Sequence, residues 1–159
     1  MKKLMIFILL FVIISCETND FFNGIVYVNS FENTSQLAHI EGGVFLSSDT
    51  PIDGGDSSMV ISGGCIIPHV TFEIGPFDQD LDLYFRCWAK RYNDGSIRMY
   101  LVDNENEQVY LSVNDTVWTE YQIDVPLHCP AHNKVKFEMN SGGFVMGCMW
   151  VDLFQVFTK

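Results

Sequence analysis

Positive charge is in short supply. The 159-residue chain has 9 Lys and Arg against 20 Asp and Glu, for a formal net charge of −11. A field of that sign repels phosphate backbones and anionic head groups, so nucleic acid is a poor partner. Long apolar runs are also missing after the first fifteen residues. The run at residues 4–14 is shorter than the roughly 20 residues a membrane-spanning helix needs, and no later stretch approaches it. Apolar residues at helical spacing are absent, as are internal repeats and low-complexity segments. No motif sets a nucleophile beside a base or fixes two carboxylates at a catalytic separation, so the chain is not expected to be an enzyme. Glu73 and Glu138, each flanked by apolar residues, are the nearest approach to a glycosidase pair; solvent-facing strand carboxylates are the simpler reading.

What is present begins at the N-terminus. Lys2 and Lys3 precede the apolar run, which closes on Ser15 and Cys16, and this order is that of an export signal. The end of the segment, Ile13-Ile14-Ser15-Cys16, resembles the bacterial lipobox. The resemblance implies a signal peptide at residues 1–15, cleavage before Cys16, and diacylglycerol on the Cys16 thiol with a third acyl chain on its amine. Several acyl chains make a stable membrane anchor where one does not. Residues 16–24, opening with the polar Glu17-Thr18-Asn19-Asp20, suit a short tether. An acidic residue directly after the cysteine resembles the signal that sends some Gram-negative lipoproteins to the cell surface. The expectation is therefore an outer-membrane, lipid-anchored protein facing outward, with the periplasmic face as the alternative.

Removing the signal leaves 144 residues with seven basic and 20 acidic side chains, enough for one domain with a real core and too few for two. Four further cysteines, Cys65, Cys87, Cys129 and Cys148, allow three disulfide pairings in an oxidising compartment, while burial as small apolar residues explains them equally well. His128, Cys129 and His132 are close enough to suggest zinc, but Pro130 spoils a helix that would present both histidines on one face.

The dominant periodicity is two. Leu81, Leu83, Phe85, Cys87 and Ala89 alternate with Asp82, Tyr84, Arg86, Trp88 and Lys90, as a strand with one buried face requires. Similar runs cover residues 97–102, 109–113, 118–125, 135–139 and 149–157. They are separated by turn formers such as Asn93-Asp94-Gly95, Asn114-Asp115 and Ser141-Gly142-Gly143. Short strands at this spacing predict an all-β, antiparallel sandwich over residues 25–159.

Five segments in order also resemble carbohydrate-binding modules with the galactose-binding-domain-like jelly roll. They are Asn29-Ser30-Phe31-Glu32, the run from Gly54 to Ile61, the run from Leu83 to Lys90, Trp118-Thr119-Glu120-Tyr121, and Trp150-Val151-Asp152-Leu153-Phe154. Two departures stand out: a tryptophan usual after the opening is missing around Leu37, and Leu153 stands where a second aspartate is usual. The resemblance implies a structural Ca2+ joining the first strand to the last, with Glu32 and Asp152 as ligands and Asp53 or Asp56 contributed by a loop. Hard oxygen ligands from distant segments are what calcium prefers.

The non-core positions supply the ligand-binding candidates Tyr84, Arg86, Trp88, Arg98, Tyr100, Glu138 and Asn140, with Tyr110 and Lys136 near them. Sugar rings stack their C–H faces on aromatic planes while their hydroxyls need donors and acceptors such as Arg, Asn and Glu. One sandwich face carrying both kinds is expected to bind a glycan or polysaccharide. A loop-end site near Tyr92 and His39, or a structural or adhesive role with a surface protein partner, is the alternative. Asp115-Thr116-Val117 weakly resembles a bacterial O-glycosylation acceptor.

Overall fold

The computed structural model describes residues 24–33, 39–41, 43–63, 68–142 and 147–159. The expected signal peptide, Cys16, most of the tether and Cys65 lie outside them, as does the side chain of His39. Twelve strands are present: β1 (Ile25–Asn29), β2 (His39–Glu41), β3 (Gly43–Ser47), β4 (Ser58–Ser62), β5 (His69–Ile74), β6 (Leu81–Tyr92), β7 (Ser96–Leu101), β8 (Asn104–Ser112), β9 (Thr119–Gln122), β10 (Leu127–Cys129), β11 (Val135–Asn140) and β12 (Cys148–Thr158). All pairings are antiparallel. The expected all-β sandwich is therefore the observed fold, a jelly roll of two sheets. Among the described residues no helix is long and apolar enough to cross a membrane.

One sheet has seven strands in the order β10-β6-β12-β4-β3, with β1 also paired to β12 and β9 to β6; the other has five, β2-β5-β11-β7-β8. The alternation predicted for β6 holds: Leu83, Phe85, Cys87 and Ala89 are buried, while Tyr84, Arg86, Trp88 and Lys90 stand half-exposed on the far side. On β11, Val135, Phe137 and Met139 point inward and Lys136, Glu138 and Asn140 outward.

The two inner faces meet on four phenylalanines. Phe72 and Phe137 from the five-stranded sheet stack at 4.9 Å, and Phe85 and Phe154 from the seven-stranded sheet stack at 5.5 Å. Phe137 meets Phe154 edge-on at 5.1 Å. Edge-to-face and offset contacts of this kind add to the free energy of burial, which is already large for rings at or near zero exposure.

Strand β12 changes partners midway. Residues 148–151 pair with β4, residues 154–157 pair with β1, and a bulge interrupts the β6 register between Asp152 and Gln155. Leu153 at this bulge has φ 47°, a left-handed conformation disfavoured for a branched side chain. The extra residue lets both Val151 and Phe154 point into the core, and simple alternation in the sequence gives no sign of it.

Candidate functional site

On the outer face of the five-stranded sheet, β11 lies at the centre. Its register sets Glu138 between Thr71 of β5 and Arg98 of β7, Lys136 between Glu73 and Tyr100, and Asn140 between His69 and Ser96. Tyr110 of β8 continues the Glu138 and Arg98 row. Arg98 Nη2 donates to Glu138 Oε2 at 2.7 Å, Asn140 Nδ2 donates to Glu138 Oε1 at 2.9 Å, and Arg98 Nη1 reaches Gln108 Oε1 at 3.4 Å. The guanidinium lies 4.2 Å from the centre of the Tyr100 ring, a cation–π contact over a ring that is itself buried. Partial burial pushes the Glu138 carboxyl up, but hydrogen bonds from Asn140 and Arg98 and the charges of Arg98 and His69 outweigh it, holding it below the usual carboxylate range. Burial likewise works against the charge on Arg98, and Glu138 more than reverses this.

The result is a fixed arrangement of planar donors and acceptors with its charge matched. Four of the seven ligand-binding candidates, Arg98, Tyr100, Glu138 and Asn140, are brought together here. The other three are not with them. Tyr84, Arg86 and Trp88 belong to β6 and occupy the outer face of the seven-stranded sheet, on the opposite side of the sandwich. There Arg86 Nε donates to Gln155 Oε1 at 2.9 Å, Tyr84 stacks on Phe157 at 5.7 Å, and Lys159 Nζ sits 4.2 Å from the Tyr84 ring centre. The expectation of one shared face is corrected for a physical reason: alternation tells which residues point outward but not which sheet their strand joins. The turn at residues 93–95 carries the chain from one sheet to the other.

Gln108, His69 and Thr71 complete the polar face and were not among the candidates. Their pairing with β7 and β11 is the signal that identifies them, and that is long-range information. Tyr92, at the end of β6, is exposed on the seven-stranded sheet, and His39 is on β2 of the other sheet with its side chain outside the described residues.

The two expected calcium ligands at the chain ends do come together. Where β12 switches partners, Asp152 is fully buried, and the loop at residues 51–57 folds over it. A Cβ at Gly54 would collide with Asp152 Oδ2, and one at Gly55 with Glu32 Oε1, so only glycine admits this approach. Asp56 N–H donates to Glu32 Oε2 at 3.0 Å, and Leu153 N–H donates to Asp152 Oδ1 at 2.6 Å. Among the described residues Asp152 Oδ2 has no hydrogen-bond partner. Desolvation, with the Leu153 hydrogen bond opposing it and the Glu32 charge adding to it, pushes the Asp152 carboxyl up to about 6. A buried orphan carboxylate oxygen near a second carboxylate suits a hard cation. The Asp53 and Asp56 side chains are exposed, and among the described residues no three His, Cys, Asp or Glu side chains converge on one point. Any cation here would rest on Glu32, Asp152 and backbone carbonyls.

Glu73 and Glu138 share the outer face of the five-stranded sheet, but each already faces a cation, Lys134 for Glu73 at 3.4 Å and Arg98 for Glu138. A depressed Glu138 is the reverse of what a general acid needs. The zinc reading of residues 128–132 fails on direction: His128 is exposed and bonds Asp82 at 2.9 Å, while Cys129 is buried with its thiol toward the carbonyls of Pro130 and Asn133. Among the described residues Cys87, Cys129 and Cys148 are free thiols, and burial, with the Glu120 charge adding to it, pushes the Cys87 thiol far up, as befits a core residue.

No protein-family model matches the chain, and no curated protein is similar to it. Solved structures do share its fold. A C-terminal family 22 carbohydrate-binding module of Clostridium thermocellum Xyn10B superposes with a TM-score of 0.59 at 15% identity, covering 86% of this chain and 95% of that one. Carbohydrate-binding module CBM6cm-2 from Cellvibrio mixtus lichenase 5A, solved with cellotriose, gives 0.56 at 12% identity, covering 85% and 98%. The enzymatically active domain of bacteriophage CBA120 tailspike protein 4 gives 0.61 at 13% identity, but this chain spans only 18% of its length. At these identities the likeness is one of fold, and the fold is the jelly-roll sandwich of carbohydrate-binding modules.

Proposed function

We propose that this chain is a non-catalytic glycan-binding module, held on the outer membrane by lipid on Cys16 and facing the cell exterior. Glycan would lie across the outer face of the five-stranded sheet. The observation that carries the reading is the Arg98, Glu138 and Asn140 set fixed beside the Tyr100 ring: charge-matched, planar, and built to exchange its hydrogen bonds for those of sugar hydroxyls. The fold likeness to modules solved with oligosaccharides such as cellotriose supports the same reading. The test is calorimetric titration of the intact protein with short neutral oligosaccharides. Arg98→Ala is expected to weaken binding at least tenfold with the fold intact by circular dichroism, and undiminished binding would overturn the assignment of this face. Capture of a protein partner with no affinity for any glycan would favour the adhesive alternative.

A structural Ca2+ held by Glu32, Asp152 and carbonyls of the loop at residues 51–57 belongs to the same proposal. It would neutralise the buried Asp152 carboxylate and tie the two ends of the domain together. Added Ca2+ is expected to raise the melting temperature and chelator to lower it; a midpoint that ignores both rules the ion out.

A further inference from the structure

All three tryptophans of the chain, Trp88, Trp118 and Trp150, lie outside the core. Trp150 and Trp118 belong to a row that crosses the outer face of the seven-stranded sheet. Phe45 of β3 pairs with Val60 of β4, Val60 with Trp150 of β12, and Trp150 with Lys90 of β6. Thr119, the first residue of β9, pairs with Ala89, which brings Trp118 beside Lys90. Lys90 Nζ lies 5.0 Å from the Trp118 ring centre and 5.3 Å from that of Trp150.

Aromatic rings therefore stand on every second strand, with Val60 and Lys90 between them. Two inter-strand spacings put neighbouring rings about 10 Å apart. Phe45 is 51% exposed, and both tryptophans are half-exposed, whereas Val60 is covered at 1%. The Trp118 end of the row is also held in place before any ligand arrives. Asp49 forms an ion pair with Lys90 and accepts the Trp118 Nε1–H at 3.0 Å. The Asp49 backbone is held in turn, its N–H by Ser47 Oγ at 3.1 Å and its carbonyl by Ser58 Oγ at 2.6 Å. Preorganised rings bind without the entropy cost of ordering them.

We propose that this row is a second carbohydrate-binding surface, one that takes an extended, neutral, β-linked polysaccharide running across the strands. A chain of that kind has a two-sugar repeat of about the ring spacing, so alternate sugars would stack on Phe45, Trp150 and Trp118. The sugar between the tryptophans would meet the Lys90 and Asp49 pair with its hydroxyls. The surface is a line rather than a patch. Gly43, Ser62, Cys148 and the exposed Tyr92 flank it on one side, and Trp88 and Glu120 on the other; with small and polar side chains among them, the flanks do not make the broad apolar area a stable protein interface buries. The polymer is neutral because the only cation in the row is already paired, and the chain around it is strongly acidic.

Because the outer face of the five-stranded sheet carries no tryptophan among its described residues, tryptophan emission reports the seven-stranded face alone. The experiment titrates the intact protein with soluble xylan, β-glucan and galactan, and with polygalacturonate as the anionic control, following emission and mobility in affinity gels. Expected is an emission change with at least one neutral polymer, persisting in Arg98→Ala, and affinity for that polymer about tenfold lower in Phe45→Ala and in Trp118→Ala. Phe45 is an exposed edge residue, so its variant keeps the fold even if Trp118→Ala disturbs the Asp49 contacts. Unchanged emission together with unchanged polymer affinity in Phe45→Ala overturns the second surface and leaves the Arg98 face standing. Loss in Phe45→Ala with none in Arg98→Ala does the opposite. Binding to polygalacturonate alone, or to no polymer, also overturns it.

Discussion

On the outer face of the five-stranded sheet, the one cation over a ring among the described residues, Arg98 over the buried Tyr100, is also locked to a carboxylate, Glu138, and Lys134 meets Glu73. On the outer face of the seven-stranded sheet, cations meet rings that are themselves partly exposed: Lys90 between Trp118 and Trp150, Arg86 over Phe157, Lys159 over Tyr84. The same alternation of inward and outward residues produced both. One surface presents directional hydrogen-bonding groups, which reward a specific arrangement of partners; the other presents apolar area, which rewards length and tolerates variety. On the reading proposed above, two such faces on opposite sides of one sandwich would bind different features of a glycan.

The largest expected effect does not distinguish the faces at all, which is its use. Phe137→Ala removes the ring on which both inner faces meet and should cost about 3 to 5 kcal/mol of stability, measured by denaturant unfolding. If ligand binding on one face survives in the residual folded fraction with unchanged affinity, the faces are energetically independent.

Acidity separates the sheets next. The folded-state value for Asp152, about 6 against an ordinary 3.8, means the native protein keeps a proton that the unfolded chain has released in between. The stability it contributes is full below about pH 4 and is lost as pH rises through 6, by at most about 3 kcal/mol. Glu138, held below its ordinary value, works the other way and loses its contribution as pH falls. The comparison of wild type with Asp152→Asn, without added metal, isolates the first effect: the variant's unfolding free energy should change less between pH 4 and 7. Parallel curves would remove Asp152 from the account.

Smaller again is Glu138→Gln, expected to cost about 1 kcal/mol or less in stability because the Arg98 pair is partly exposed, while weakening oligosaccharide binding several-fold. Lys134→Ala, at an exposed ion pair, is expected to change stability by less than about 0.5 kcal/mol.

Much of the fold was legible because the alternation in β6, β7, β11 and β12 is local, and local order needs only neighbouring residues. The chain-end carboxylates were legible through the resemblance, since Glu32 and Asp152 fall in recognisable segments. What stayed hidden depends on sheet membership. Tyr84 and Tyr100 carry the same outward signal sixteen positions apart yet lie on opposite faces, and the Asp49 to Trp118 bond spans 69 residues with no pattern linking its ends. The bulge at Leu153 was likewise invisible, because a single inserted residue leaves the composition of a strand unchanged.

The partner switch of β12 has a consequence for how the molecule is made. Among the described strands, β12 comes last in chain order, and β1, β4 and β6 all pair with it, so Ile25 waits for Phe157. A chain emerging N-terminus first cannot close the seven-stranded sheet until β12 is free. Such long-range pairing makes for slow folding and leaves early strands with open edges in the interval. Assembly is therefore late and concerted, and a truncation at residue 147 would cost the sheet rather than an edge.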